Sequence, residues 1–272
     1  MRFVVPLLLG TACASSPLIR PGDAAFLRAQ TRLAATQQRV LEQAGPGPES
    51  ALFLQAESLY RDRFALRLHG AGSYAAQAAA AAIDFGPLSV LAASNGMADF
   101  RLMTYDGAAQ LYEALLARFP RGRLAPLAQY RLGWAYRSVS LEFPRDSEQA
   151  FTAAAQGGVA LATAAARAPW RSQETAVKLS LLPGLGQIYT GETANGVLRL
   201  VLAAAFLTLA IVPTVVAVHQ HDASWQRLLL ATGGLVGLQV VYTTAYQDAQ
   251  RAALEFNERE EARFEDAHPD AP

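Results

Sequence analysis

The chain contains one cysteine, Cys13, so it can form neither an intramolecular disulfide nor a cysteine-based metal cluster. Lysine is as scarce: Lys178 is the only one, and the other basic residues are arginines spread along the chain rather than massed. With 23 basic and 23 acidic residues the formal net charge is zero, which removes the electrostatic footprint expected of a nucleic-acid-binding protein. Histidine occurs at His69, His219, His221 and His268. His219, His221 and Asp222 lie close together, but without a fourth ligand they make a poor metal site, and no metal or cofactor is expected. No serine sits on a nucleophile elbow, and Gly184-x-Gly186 lacks the Gly-Lys-Ser/Thr ending that cradles phosphates. These absences leave nothing from which to argue catalysis, and the chain is not expected to be an enzyme.

Runs of β-branched residues are missing from the first two-thirds of the sequence, where alanine and arginine abound instead. That composition favours helix. A hydrophobic content of 52% over 272 residues is high for a soluble protein and points to a part that resides in lipid.

Arg2 is followed by the apolar stretch Phe3–Leu9 and then by small residues, the pattern of an export signal. The stretch is far shorter than the ~20 residues a transmembrane helix needs. Gly10-Thr11-Ala12-Cys13 resembles the lipobox of bacterial lipoproteins, which implies lipidation at Cys13 after removal of a signal peptide over residues 1–12. The competing reading takes Ala12-Cys13-Ala14 as a small-x-small cleavage site and discards Cys13. Residues 13–21 form a linker on the first reading.

Residues 22–172 read as an exported helical domain. Phe26, Leu33 and Val40, with Leu27 and Leu41 beside them, recur at helical spacing, and Gly45-Pro46-Gly47-Pro48 then breaks the chain. Leu52, Ala56, Leu59, Tyr60 and Phe64 form a second stripe, so the spacing predicts a helical hairpin. A third, alanine-rich helix is expected over Tyr74–Phe85. Between Ala92 and Tyr136, Gly96, Ala108, Tyr112 and Pro120 fall at positions where a tetratricopeptide repeat has a glycine, a small residue, an aromatic and a helix-ending proline, and Leu132-Gly133-Trp134-Ala135-Tyr136 repeats the pattern of its first helix. This stretch resembles the tetratricopeptide-like units of bacterial envelope lipoproteins; an ordinary antiparallel helix pair would use the same residues. Exposed contacts for a protein partner are expected at Arg118, Tyr130 and Arg137.

Residues 173–247 read as a membrane domain. Leu200–Val218 and Leu228–Gln247 carry no charge, and each matches the about 20 residues that span a bilayer as a helix. His219–Arg227 forms a polar connector with Trp225 at its edge. A buried hairpin of a soluble protein is the alternative. Ahead of the first run, Pro183, Gly184, Gly186, Gln187, Tyr189 and Gly191 make a Pro-Gly-x-Gly-Gln-x-Tyr motif that resembles the segment opening small helical membrane domains of uncharacterised bacterial envelope proteins. Pro183 removes a backbone donor and the glycines permit a bend, so a broken or re-entrant helix is expected there. Gln187 is expected to bond backbone groups freed by the break, Tyr189 to sit at the headgroups, and Arg199 to snorkel.

Residues 248–272 read as a polar tail, a solvated helix end with charges paired four apart. The fold class is thus all-α: helical hairpins with a tetratricopeptide-like unit, a broken helix, and a two-span hairpin. Two functions fit this layout. In one, the helical domain is a scaffold for an envelope protein, anchored in the inner membrane and facing the periplasm. In the other, residues 178–247 assemble through Gly233, Gly234 and Gly237 into an oligomeric conduit or a lipid-handling unit.

Overall fold

The computed structural model describes residues 24–61, 105–139, 146–220 and 224–269, with side chains from residue 31 onward. The expectations for the leader, Cys13, His69, the Tyr74–Phe85 helix, Gly96 and His221 lie outside the described residues. Every regular element among the described residues is an α-helix, as the alanine-rich composition implies.

Helix α1 spans Ala24–Ala44, and residues 48–61 are helical as α2. The break falls where the Gly-Pro pairs place it. Gly45 takes φ 72°, a left-handed conformation that a side chain disfavours, and its N–H closes α1 on the Leu41 carbonyl at 2.9 Å. Pro48 opens α2, where a missing N–H costs nothing. Helices α3 (105–118), α4 (Ala125–Ala135), α5 (Ser147–Gln156) and α6 (Ala162–Ala166) follow. The Asp146 carboxylate caps α5, accepting from the backbone N–H groups of Glu148 and Gln149 at 2.9 and 3.0 Å.

These helices share one core, built around Val40, Phe53, Tyr112, Leu115, Leu124 and Phe151. Gly133 shows why a small residue is needed on α4. A Cβ there would lie 2.6 Å from the Phe151 ring, so only glycine admits that aromatic against Trp134 and Tyr130.

Helices α7 (Gln173–Leu179) and α8 (Leu185–Tyr189) are short and are separated by a turn containing Pro183 and Gly184, so the expected broken helix is present. Two long helices complete the chain, α9 over Thr193–Gln220 and α10 over Trp225–Ala267. Both are long and apolar enough to cross a membrane. Their most apolar windows are only 11% and 17% buried, so neither packs as an interior helix, which weighs against the buried-hairpin alternative.

The tail departs from its expectation. Residues 248–267 continue α10 without a break, and at 43 residues that helix is about 65 Å long at 1.5 Å per residue. Its second half is not solvated. Leu254 belongs to the same core as Val40 and Phe53, and Asn257, Glu258, Glu261 and Glu265 are all buried. Spacings of three and four residues place Leu254, Glu258, Glu261 and Glu265 on one face, and that face packs into the helical domain.

Candidate functional site

The most highly charged region of the interior lies where α2, α3 and α4 meet the end of α10. Arg61 and Glu57 stand four apart on α2, one turn away from each other, and Arg61 Nε donates to Glu57 Oε1 at 3.0 Å. Arg61 also reaches α10, where its two terminal nitrogens donate to the two carboxylate oxygens of Glu265 at 2.8 and 3.2 Å. Arg131 of α4 completes the group, with Nε 3.0 Å from Glu57 Oε2 and Nη1 3.4 Å from Glu265 Oε1. Arg32 of α1 joins Glu265 and Asp266 from the rim.

Tyrosine hydroxyls satisfy more of the carboxylate lone pairs. Tyr112 donates to Glu57 at 2.6 Å, Tyr60 to Glu261 at 2.7 Å and Tyr105 to Glu258 at 3.1 Å. The electrostatics follow from this enclosure. Burial alone would raise the Glu57 and Glu265 carboxyls, but the guanidiniums of Arg61 and Arg131 outweigh it and hold both below the ordinary carboxylate range. Burial and the neighbouring Glu57 push the Tyr112 hydroxyl well above its usual value, so it stays a donor. Glu57 and Glu265 therefore face Arg61 and Arg131 as carboxylates at neutral pH.

A second region is the Pro-Gly motif. Gly184 takes φ 102°, and a Cβ there would lie 2.0 Å from the Gly196 carbonyl oxygen, so α8 starts in contact with the backbone of α9. Gly186 is as confined, between the Ser180 hydroxyl, the Ala176 carbonyl and the Ala249 methyl of α10. Gln187 is fully buried, and its Nε2 donates to the Ala245 carbonyl of α10 at 2.7 Å. That partner lies across the helix interface, not in the broken stretch where one was expected. The Tyr189 hydroxyl accepts from the Ser172 backbone N–H at 3.1 Å, with the Arg171 guanidinium 5.2 Å above its ring, so Tyr189 joins α8 to the start of α7. Gly191 turns the chain into α9 at φ 92°. Arg199, expected to snorkel, instead pairs with Asp248 and donates to the Thr244 hydroxyl at 2.8 Å. The motif is thus a packing device that fastens α8 to both long helices.

No protein family model, no curated protein and no solved structure matches the chain. The site has to be read from its own geometry.

Two of the three expected partner contacts are not on the surface. Tyr130 is fully buried with its ring edge-on to Phe151, and Arg137 is 3% exposed, its guanidinium enclosed by Trp134, Phe151 and Trp170 at 5.0, 4.9 and 5.7 Å. Helical periodicity assigns these residues to a face but does not say that α5 and the segment carrying Trp170 cover it. Burial lowers the Arg137 guanidinium to about 10, and its Nη2 donates to the Ala166 carbonyl at 2.9 Å. Arg118 is exposed as expected and lies over its neighbour Phe119.

The glycines expected to join separate copies are largely used within one. A Cβ at Gly234 would meet the Ala210 backbone nitrogen at 2.4 Å, and one at Gly237 the Phe206 ring at 2.3 Å, so both bring α9 and α10 together. Only Gly233 faces open space. Among the described residues no group of three or more His, Cys, Asp or Glu side chains is placed to hold a metal.

The ionic cluster left no periodic signal in the sequence. Leu254, Phe256 and Phe264 stand two and eight residues apart, which places them on different faces of a helix and marks no single packing face. Asn257 was equally silent in the sequence. It donates to the carbonyls of Arg137 and Arg171 at 2.8 and 3.0 Å and accepts from the Arg171 N–H at 2.7 Å, joining two connections to α10.

Proposed function

We propose that the chain is a membrane-anchored protein of the bacterial envelope whose helical domain is an interaction scaffold held at a fixed attitude to the lipid surface. One observation carries this reading: α10 passes uninterrupted from an exposed apolar half into the ionic core of the helical domain. A flexible tether would only keep the domain nearby. A continuous helix fixed by Asn257, Glu258, Glu261 and Glu265 also sets its orientation.

The packing supports an even number of crossings. Residues of α1 to α4 and the end of α10 share one core, so they lie on one side of any bilayer that α9 and α10 traverse. The exposed Trp225 at one end of the apolar half of α10 and the exposed Tyr242 and Tyr246 at the other suit the two interfaces of such a bilayer. The export-type leader assigns the helical domain to the periplasm and the His219–Arg227 connector to the cytoplasm, with retention in the inner membrane and Cys13 as a second, lipid anchor. The enclosure of Gly234 and Gly237 weighs against the alternative of an oligomeric conduit. Arg118, Arg121 and Arg123 are exposed around the α3–α4 turn and offer an acidic partner protein a cationic surface.

Reporter fusions test the placement. Periplasmic activity at Pro272 with cytoplasmic activity at Ala223, in a protein that resists carbonate extraction, is expected. Release of the full-length protein from membranes by carbonate would overturn the reading. In-cell crosslinking from position 118 should give a defined adduct that is lost when Arg121 and Arg123 are changed to glutamate; no adduct from the intact protein would remove the scaffold role.

A further inference from the structure

The end of α7 and the turn that follows it expose three leucines for which the packing gives no reason. Leu181 is 75% exposed, Leu182 59% and Leu179 37%, while Ser180, Pro183 and Gly184 between and beside them are buried. Water would favour the reverse order, with the polar serine outside and the leucines within.

Three features fit this turn to a lipid surface. First, it lies against the start of α9: Gly184 touches Gly196 and approaches the side chain of Leu200, and α9 exposes Val197, Leu198 and Val201 on the same first turns. Leu182 is two residues from Gly184, so it stands within about 7 Å of chain from the exposed apolar start of α9. Second, four backbone amides of the turn are paired internally. Ser180 N–H donates to Ala176 at 3.1 Å, Leu181 to Lys178 at 3.2 Å, Leu182 to Leu179 at 3.1 Å and Leu185 to Leu182 at 3.1 Å, and Pro183 has no donor. Each donor paired in this way can leave water without becoming an unsatisfied N–H. Third, the depth matches. Arg199, one residue before Leu200, bonds to Thr244 on α10, which lies between the exposed Tyr242 and Tyr246. The leucines therefore stand near the level of that tyrosine pair, and the exposed Lys178 and Glu174 form the polar edge of α7.

We propose that Leu179, Leu181 and Leu182 form a shallow membrane-inserting wedge that takes the acyl chains of the leaflet in which α9 begins, giving the helical domain a contact with lipid separate from the two spans. The proposal rests on the membrane reading above. It makes the broken helix a monotopic contact beside the hairpin, not a re-entrant span.

The test is a depth measurement on the full chain in vesicles of phosphatidylcholine and phosphatidylglycerol. In a Cys13→Ser background, a single environment-sensitive NBD label is placed at Leu182→Cys, at Val215→Cys in the last quarter of α9, or at Thr152→Cys on α5; all three positions are exposed. Phosphatidylcholine brominated near the top of its acyl chains serves as quencher. Labels at 182 and 215 should emit to the blue and lose intensity to brominated lipid, while the label at 152 should do neither. Quenching at 215 without quenching at 182 overturns the wedge and leaves the membrane reading standing. An unquenched label at both positions overturns the membrane reading and the wedge with it. A blue-shifted label at 182 that brominated lipid leaves untouched would mean that protein covers the leucines, and would also overturn the proposal.

Discussion

Arg61 holds Glu265 with both terminal nitrogens, at 2.8 and 3.2 Å, across a separation of 204 residues in the sequence. Everything between them, including both apolar helices, is a loop closed by this contact and its neighbours. The two-point geometry fixes direction as well as distance, which a lysine in place of Arg61 could not reproduce.

Glu265→Ala should therefore cost more than an ordinary surface change. It removes the carboxylate that Arg61 and Arg131 share on α10, and breaking a buried pair from one side costs about 3–5 kcal/mol. Urea unfolding in detergent should show this loss, and the double variant Arg61→Met/Glu265→Leu should be the more stable of the two because no buried charge is orphaned at position 61.

Acid should dissolve the cluster. The folded-state values of Glu57 and Glu265 lie below the unfolded value of 4.5, so their stabilisation is complete above about 4.5 and is lost as pH falls from there toward the folded values. The unfolding midpoint should stay flat from neutral pH to near 4.5 and drop below it. Glu265→Gln should be weaker at neutral pH and show a shallower acid drop; parallel curves for the two proteins would contradict the assignment.

The end of α10 should be required for the helical domain to fold. A fragment covering residues 24–180 lacks the α10 carboxylates that Tyr60, Tyr105 and Arg61 bond and exposes the cavity left by Leu254. It should unfold without cooperativity by circular dichroism, and a peptide of residues 248–269 added in trans should restore a cooperative transition. A cooperative transition in the fragment alone would count against the role given to α10.

Adjacent glycines on α10 should respond in opposite ways. Gly234→Ala drives a methyl into the Ala210 backbone, where neither helix can yield, at a cost of about 1–3 kcal/mol. Gly233→Ala meets nothing within 4 Å and should stabilise the helix by up to about 1 kcal/mol. Thermal unfolding of the two variants in the same detergent checks the contrast, and similar shifts would mean that α9 and α10 are not in contact there.

Much of the architecture was legible one segment at a time. Gly45-Pro46-Gly47-Pro48 announced the hairpin of α1 and α2 because no other residues both end one helix and start the next so cheaply. The two uncharged runs announced α9 and α10, since helix length and side-chain hydropathy are local properties, and Pro183-Gly184 announced the break between α7 and α8 for the same reason. What those helices touch could not be read in this way. Glu258, Glu261 and Glu265 look like a solvated stripe until Tyr105, Tyr60, Arg61 and Arg131 are brought to them from far away in the chain. Tyr130 and Arg137 look like surface until Phe151 and Trp170 cover them. Periodicity says which residues share a face; whether a charge on that face meets water or a counter-charge depends on the other helices packed against it, and only the tertiary structure decided that.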